Sequence, residues 1–280
     1  MSKQDEQQAI RRILVALDAS HHSLAALEAA AELAASLEAE LHGLFVEDAN
    51  LLRLAGIPVV REVRYPFAGS ARLDTGRMER SLRAQAAQAR RALERASERR
   101  HVEWSFRVVR GQVALEVLAA ALEADLLTLG KASRPLLQRV RLGSTARAAA
   151  REAPCCVLML QRDAGIAPPV MVTYDGTPTA QKALTMAIHL ARQQEGEMIV
   201  LIVAHAADAA LRLQARASGL LREQGLTARY RQLLDPDRAT LTHQVRTEGC
   251  GVLVLSGTLL SQEAIQTLLD EVDCPVMLIR

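Results

Sequence analysis

The stretch Leu126-Leu127-Thr128-Leu129-Gly130-Lys131-Ala132-Ser133, followed after a basic run by Gly143-Ser144-Thr145 and then by Cys155-Cys156-Val157-Leu158-Met159, decides the fold. Short apolar runs of this kind, the first ended by a glycine, read as strands buried on both faces of a parallel sheet. Gly143-Ser144-Thr145 opens an alanine-rich segment to Glu152 and reads as a helix start, where the first backbone N–H groups lack intrahelical acceptors. Such a terminus attracts anions, because N–H groups and the positive end of the helix dipole converge there. A strand, a glycine, a basic loop and an open helix start together predict a phosphate cradle.

Outward from this stretch the pattern is regular. Ile13-Leu14-Val15-Ala16-Leu17-Asp18 predicts a buried strand ending in a carboxylate, and Ser20 is placed to cap a helix over Leu24 to Leu37. Leu41 to Val46 predicts a second strand. Glu47 to Gly76, with Pro58, Pro66, Gly56 and Gly69, reads as a loop or lid with a little helix. A long arginine-rich helix, an alternating strand over Val102 to Val109 and a further helix lead back to Leu126. Alternating strands and helices predict an α/β unit with a parallel sheet and right-handed crossovers.

After a Gly- and Pro-containing linker over Gln161 to Pro169, the pattern repeats. Val170-Met171-Val172-Thr173-Tyr174-Asp175 matches the first strand, with Asp175 against Asp18, and Cys274-Pro275-Val276-Met277-Leu278 resembles the segment from Cys155. The second copy is shorter. It lacks the irregular segment, and Ser256-Gly257-Thr258 runs into Leu259-Leu260 without a basic stretch or a Gly-Ser-Thr. One copy keeps the phosphate cradle and the other has lost it, so the second reads as a pairing and scaffolding unit.

Composition narrows the function classes. The 280 residues carry 34 basic against 32 acidic side chains, a formal +2, which argues against a dedicated nucleic-acid binder. No apolar run approaches the roughly 20 residues that span a bilayer, and the polar N-terminus has no signal core, so a cytoplasmic protein is expected. Four cysteines do not make a disulfide framework; Cys155, Cys156, Cys250 and Cys274 read as buried small hydrophobes, with a redox pair as the minor reading.

The loop spacing resembles that of universal stress proteins, which carry G-x2-G-x9-G-[ST] between their fourth strand and fourth helix, in a loop that wraps the ribose and phosphates of ATP. Gly130 stands at the first glycine, Ser133 at the second, and Gly143 and Ser144 at the last two positions. Ser133 is the departure. Where the backbone needs a positive φ, serine costs free energy that glycine does not; where only a small residue is needed, serine serves and adds a hydroxyl.

The resemblance covers nearly the whole chain and implies two tandem α/β domains, 1–162 with the nearly intact loop and 168–280 degenerate. Each would hold a five-stranded parallel sheet in the order 3-2-1-4-5, the adenine nucleotide alpha-hydrolase-like arrangement. It further implies that Asp18 lies beside the adenosine and Val46 beside the adenine, that Gly130 lets the backbone approach the ribose, and that Lys131, Ala132, Ser133, Gly143, Ser144 and Thr145 line the phosphates. The ligand would be ATP, alone or with magnesium, one per chain, and the partners an adenine nucleotide and an unidentified protein. The two halves would pair within the chain, and a homodimer stays open.

Each of these residues has a plainer alternative. Asp18 and Ser144 also suit helix caps, Arg139, Arg141 and Arg147 suit a solvated loop, and His21-His22 suit a polar helix start better than a metal site, since no second pair accompanies them. No G-x-S-x-G, G-x4-G-K-[ST] or H-E-x-x-H motif is present, so no enzyme is expected. An ATP-binding stress regulator is the leading reading, ahead of a nucleotide-free interaction module and a slow ATPase.

Overall fold

The computed structural model describes residues 10–18, 20–55, 61–64, 69–72, 74–131, 142–161, 165–194 and 196–280. The first copy runs β1 (Arg12–Leu17), α1 (His21–Leu37), β2 (Glu40–Asp48), α2 (Ala49–Ala55), β3 (Arg61–Arg64), β4 (Gly69–Arg72), α3 (Thr75–Glu98), β5 (Trp104–Gly111), α4 (Val113–Ala121), β6 (Leu126–Gly130), α5 (Ser144–Glu152) and β7 (Cys156–Leu160). The second runs β8 (Val170–Tyr174), α6 (Pro178–Gln193), β9 (Met198–Ala204), α7 (Ala207–Glu223), β10 (Arg229–Leu234), α8 (Arg238–Glu248), β11 (Val252–Ser256), α9 (Gln262–Glu271) and β12 (Val276–Ile279).

The main strands form one ten-stranded sheet in the order β10-β9-β8-β11-β12-β7-β6-β1-β2-β5. Each half contributes five parallel strands in the expected 3-2-1-4-5 order. The halves join through the only antiparallel pair of this sheet, β7 with β12, in the register Val276↔Met159, Met277↔Leu158 and Leu278↔Val157.

Strand composition explains this layering. Val172, Val200, Ile202 and Val254 face one side of the sheet and Leu127, Met159, Leu253 and Leu278 the other, all essentially without solvent contact. Helices α1, α3, α6 and α7 cover the first face, and α4, α5, α8 and α9 the second. Each of the two cores runs through both halves without a break, so the halves share their interior. At about 25 cal/mol per Å² of apolar surface, such continuous burial ties the halves together far more firmly than the polar contacts between them. No helix among the described residues is long and apolar enough to cross a membrane.

Caps set the helix starts. Ser20 accepts from the Ser23 N–H, Asp74 from Arg77, Thr177 from Ala180, Asp237 from Thr240 and Ser261 from Ala264.

Two elements differ from the sequence reading. The segment after β2 holds α2 and a hairpin, β3 with β4, in the register Arg61↔Arg72 to Arg64↔Gly69. Charged residues and glycine mask the alternation by which a hairpin strand is recognised. The region between Leu260 and Cys274, for which the sequence reading above gives no element, forms α9, with Ile265, Leu268 and Leu269 buried. Cys155 behaves as the buried small hydrophobe expected: it packs in the core, and burial pushes its thiol up to about 11.

Candidate functional site

Parallel pairing delivers the carboxyl ends of β1, β2 and β6 to one edge of the sheet, with Leu17 opposite Phe45 and Val15 opposite Thr128. From β1 the chain crosses to β2 on one side, while β6 lies on the other, so a crevice opens between β1 and β6 at the reversal of strand order. This cleft is lined by Asp18, Val46, Gly130 and Thr145 together with Ala16, Leu44, Val113, Val117 and Leu129. Asp18 comes from the end of β1, Val46 from β2, Gly130 from β6 and Thr145 from the first turn of α5. The cleft encloses about 90 Å³, below the roughly 300 Å³ at the low end of small-molecule sites. Its walls are apolar toward the sheet and polar toward Asp18, Ser20 and Thr145.

Asp18 is exposed at the rim. Its Oδ1 accepts from the Ser20 N–H at 2.9 Å, and its own N–H donates to Ser23 Oγ at 3.4 Å. The capping role and a ligand role are compatible, because Oδ2 accepts no hydrogen bond among the described residues.

At α5, Gly143 is the cap, with φ −63° and ψ 160°, and among the described residues no side-chain bond caps the helix start. The N–H groups of Ser144, Thr145 and Ala146 therefore face outward without intrahelical acceptors. The second half is closed at the corresponding helix, since Ser261 accepts from Ala264 at 3.3 Å. Its strand-end carboxylate is engaged much as Asp18 is, Asp175 Oδ1 accepting from both the N–H and the hydroxyl of Thr177, so the two halves differ at the helix start and not at the carboxylate.

Gly130 has a reason that sequence reading missed. A Cβ there would lie 2.8 Å from His22 Cβ and 3.0 Å from the His22 carbonyl carbon. The glycine lets the start of α1 approach β6, and it lines the cleft as a consequence. Buried His22 and Ser23 and the α4 residues Val113 and Val117 also line the cleft; His22 was weighed from the sequence as a polar helix-start residue, and the i, i+4 apolar spacing is the one signal for the α4 pair.

Lys131 is not where the resemblance implied. Its side chain turns from the cleft into the junction of the two halves, only 2 % exposed, and Nζ donates to the carbonyls of Val272 and Cys274 at 3.0 Å each. Burial pulls its pKa down to about 8, against the opposing pull of Cys274, Asp273, Asp270 and Cys250. A phosphate role for this ammonium is corrected accordingly: the apolar stem and the two carbonyls hold it in the interface. Arg147 likewise faces Asp270 of the second half, at 3.5 Å. Ala132, Ser133, Arg139 and Arg141 lie outside the described residues.

A larger groove of about 400 Å³ runs between the halves past Leu37, Cys156, Lys182, Met186 and Arg280. It sits at the amino ends of β6 and β7, far from the α5 start.

A family model described as the universal stress protein family matches residues 9–161 and 168–257. The chain belongs to the universal stress protein family. Among solved structures it is similar to a universal stress protein from Archaeoglobus fulgidus, at 14% identity and a TM-score of 0.71 over 95% of this chain and 97% of that one. It is similar also to a putative universal stress protein from Pseudomonas aeruginosa, at 15% identity and TM-score 0.61 over 98% and 94%. The cytoplasmic domain of a prokaryotic cation chloride cotransporter matches at 10% identity and TM-score 0.55, over 96% and 95%. These likenesses concern the fold. No curated protein matches.

Proposed function

We propose that the cleft of the first half binds an adenine nucleotide, ATP by preference, and that occupancy regulates the docking of a protein partner in a stress response. The observation that supports this most is a coincidence on one cleft: a carboxylate with a free oxygen at the end of β1, an apolar slot between β1 and β6, and the uncapped start of α5. The residues fit the ligand in kind. Ala16, Leu44, Val46 and Val117 offer a flat base an apolar slot, which accounts for the small enclosed volume. Asp18 can accept from ribose hydroxyls, and the N–H groups and hydroxyls of Ser144 and Thr145 suit phosphate. Among the described residues no group of three or more His, Cys, Asp or Glu side chains could hold a metal, so magnesium would arrive on the phosphates. The reading assigns no catalytic step.

Titration calorimetry with Mg-ATP tests this. A stoichiometry near one per chain is expected, because the corresponding helix start of the second half is capped by its own Ser261. Asp18→Ala is expected to weaken binding by about tenfold, the size of one hydrogen bond to a charged group. Absence of heat at millimolar ATP, or a site surviving intact in Asp18→Ala, overturns the reading.

A further inference from the structure

The two halves are built alike at their junction, which makes one difference informative. In the first half Lys131 follows β6 and its N–H donates to Leu160 O at 2.7 Å; in the second, Gly257 follows β11 and its N–H donates to Ile279 O at 2.8 Å. One residue further along, Gln161 reaches across to Val272 O at 3.0 Å, and Arg280 reaches back to Ala150 O at 2.6 Å. These contacts are reciprocal. Lys131 breaks the symmetry, because Gly257 has no side chain with which to return the contact that Nζ makes to Val272 and Cys274.

A second one-sided contact stands beside it. Asp270, at the end of α9, accepts from the Leu142 N–H at 2.6 Å and faces Arg147, whose Nε donates to Leu142 O at 3.2 Å. Leu142 precedes the α5 cap, and the cap itself is bonded to Lys131, Gly143 N donating to Lys131 O at 2.7 Å. The start of α5 is therefore held at two points, Leu142 and Lys131, and both are fixed by residues 270–274 of the second half. Among the described residues of the first half it has no side-chain cap.

We propose that Asp270 and Lys131 are positioning residues through which the second half sets the orientation of the α5 start, and with it the affinity of the first half for the phosphates of a nucleotide. This rests on the adenine-nucleotide reading of the cleft. The second half thereby supplies the support that the α5 terminus lacks locally: an aspartate on the residue before the cap, and a buried lysine that locks the residue bonded to the cap. Neither side chain belongs to the cleft lining, so neither contacts the base slot.

The test compares ATP with adenosine on the full chain, by calorimetry, in wild type, Asp270→Ala and Lys131→Met. Asp270→Ala is expected to weaken ATP about tenfold and to change adenosine less than twofold, because only the phosphates meet the α5 start. Lys131→Met keeps the apolar stem and removes the two carbonyl bonds; a smaller loss in the same direction is expected. Equal losses for ATP and adenosine would mean general damage to the fold and would overturn the proposal, as would unchanged ATP affinity in both variants. Amide exchange of Ser144, Thr145 and Ala146 in nucleotide-free protein separates this from the parent reading. Faster exchange at these three groups in Asp270→Ala, with exchange in β1 and β6 unchanged, supports the positioning role even where wild type binds no ATP. Unchanged exchange there refutes it.

Discussion

A Gly251→Ala chain is expected to lose about 3 kcal/mol or more of stability, and a Gly251→Val chain to fail to fold. Gly251 opens the turn into β11, where the linker between the halves lies across it. A Cβ at this position would overlap the Ala167 carbonyl oxygen and come within 2.5 Å of Pro168 O and 2.6 Å of Pro168 C. These are backbone atoms, so no rotamer change relieves the contact. Retreat is also blocked, because Gly251 N donates to Pro169 O at 3.0 Å and Val252 N to the same oxygen at 3.4 Å. Moving the linker would break both bonds and shift β11, whose residues Val252 to Leu255 lie at the bottom of the two cores. The urea midpoint, read by circular dichroism with the m value unchanged, measures the loss. Gly219→Ala is the control. It lies inside α7 with nothing within 4 Å of its Cβ position, and is expected to gain about 0.5–1 kcal/mol from helix propensity. A Gly251→Ala chain as stable as wild type would show that the linker does not lie on the start of β11.

The second large effect is in pH. Lys131 titrates near 8 in the folded chain because burial disfavours its ammonium, whereas in the unfolded chain it titrates near the ordinary 10.5. Between these values the unfolded chain retains a proton that the folded chain has released, so stability rises with pH. The slope approaches about 1.4 kcal/mol per pH unit, and the full gain from below 8 to above 10.5 is on the order of 3 kcal/mol. The neutral amine still has two N–H donors for the two carbonyls, so the junction survives deprotonation. Other groups titrate in this range as well, and the difference between wild type and Lys131→Met isolates the lysine. Wild type is expected to gain on Lys131→Met as pH rises from 8 to 10. A constant difference would mean that Lys131 stays charged in the folded chain through pH 10, as a hydrated ammonium with an ordinary pKa.

The two-copy α/β architecture was legible because its evidence is local: apolar strand runs, a repeated strand-carboxylate start and a cap at Ser20. The cleft was legible through the resemblance that the loop spacing carries, which implies that these strand ends and this helix start meet; Asp18, Val46, Gly130 and Thr145 line one cleft. The β3–β4 hairpin was not legible, because Arg61 to Arg64 and Gly69 to Arg72 carry no apolar alternation. Nor was the destination of Lys131. A lysine after a glycine before a helix start has the local signature of a phosphate ligand, and the carbonyls that capture it lie more than a hundred residues away. Gly130 was singled out for the ribose, while the atoms that exclude a Cβ belong to His22. In both cases the sequence marked the right position, and only the tertiary neighbours revealed what the position does.

The antiparallel seam between β7 and β12 also bears on how such a chain can change over generations. Were the same sheet assembled from two copies of a single-domain chain, one gene would encode both faces of the seam and both clefts. Every substitution would then appear twice, and a lysine reaching across would always be answered by its twin. Joining the halves in one polypeptide gives each its own codons. Separate codons let one copy carry a self-capped α9 with Asp270 facing the neighbour, while the other carries the glycine-bounded sequence before α5. The asymmetry between Lys131 and Gly257 is a division of labour that two identical subunits could not hold.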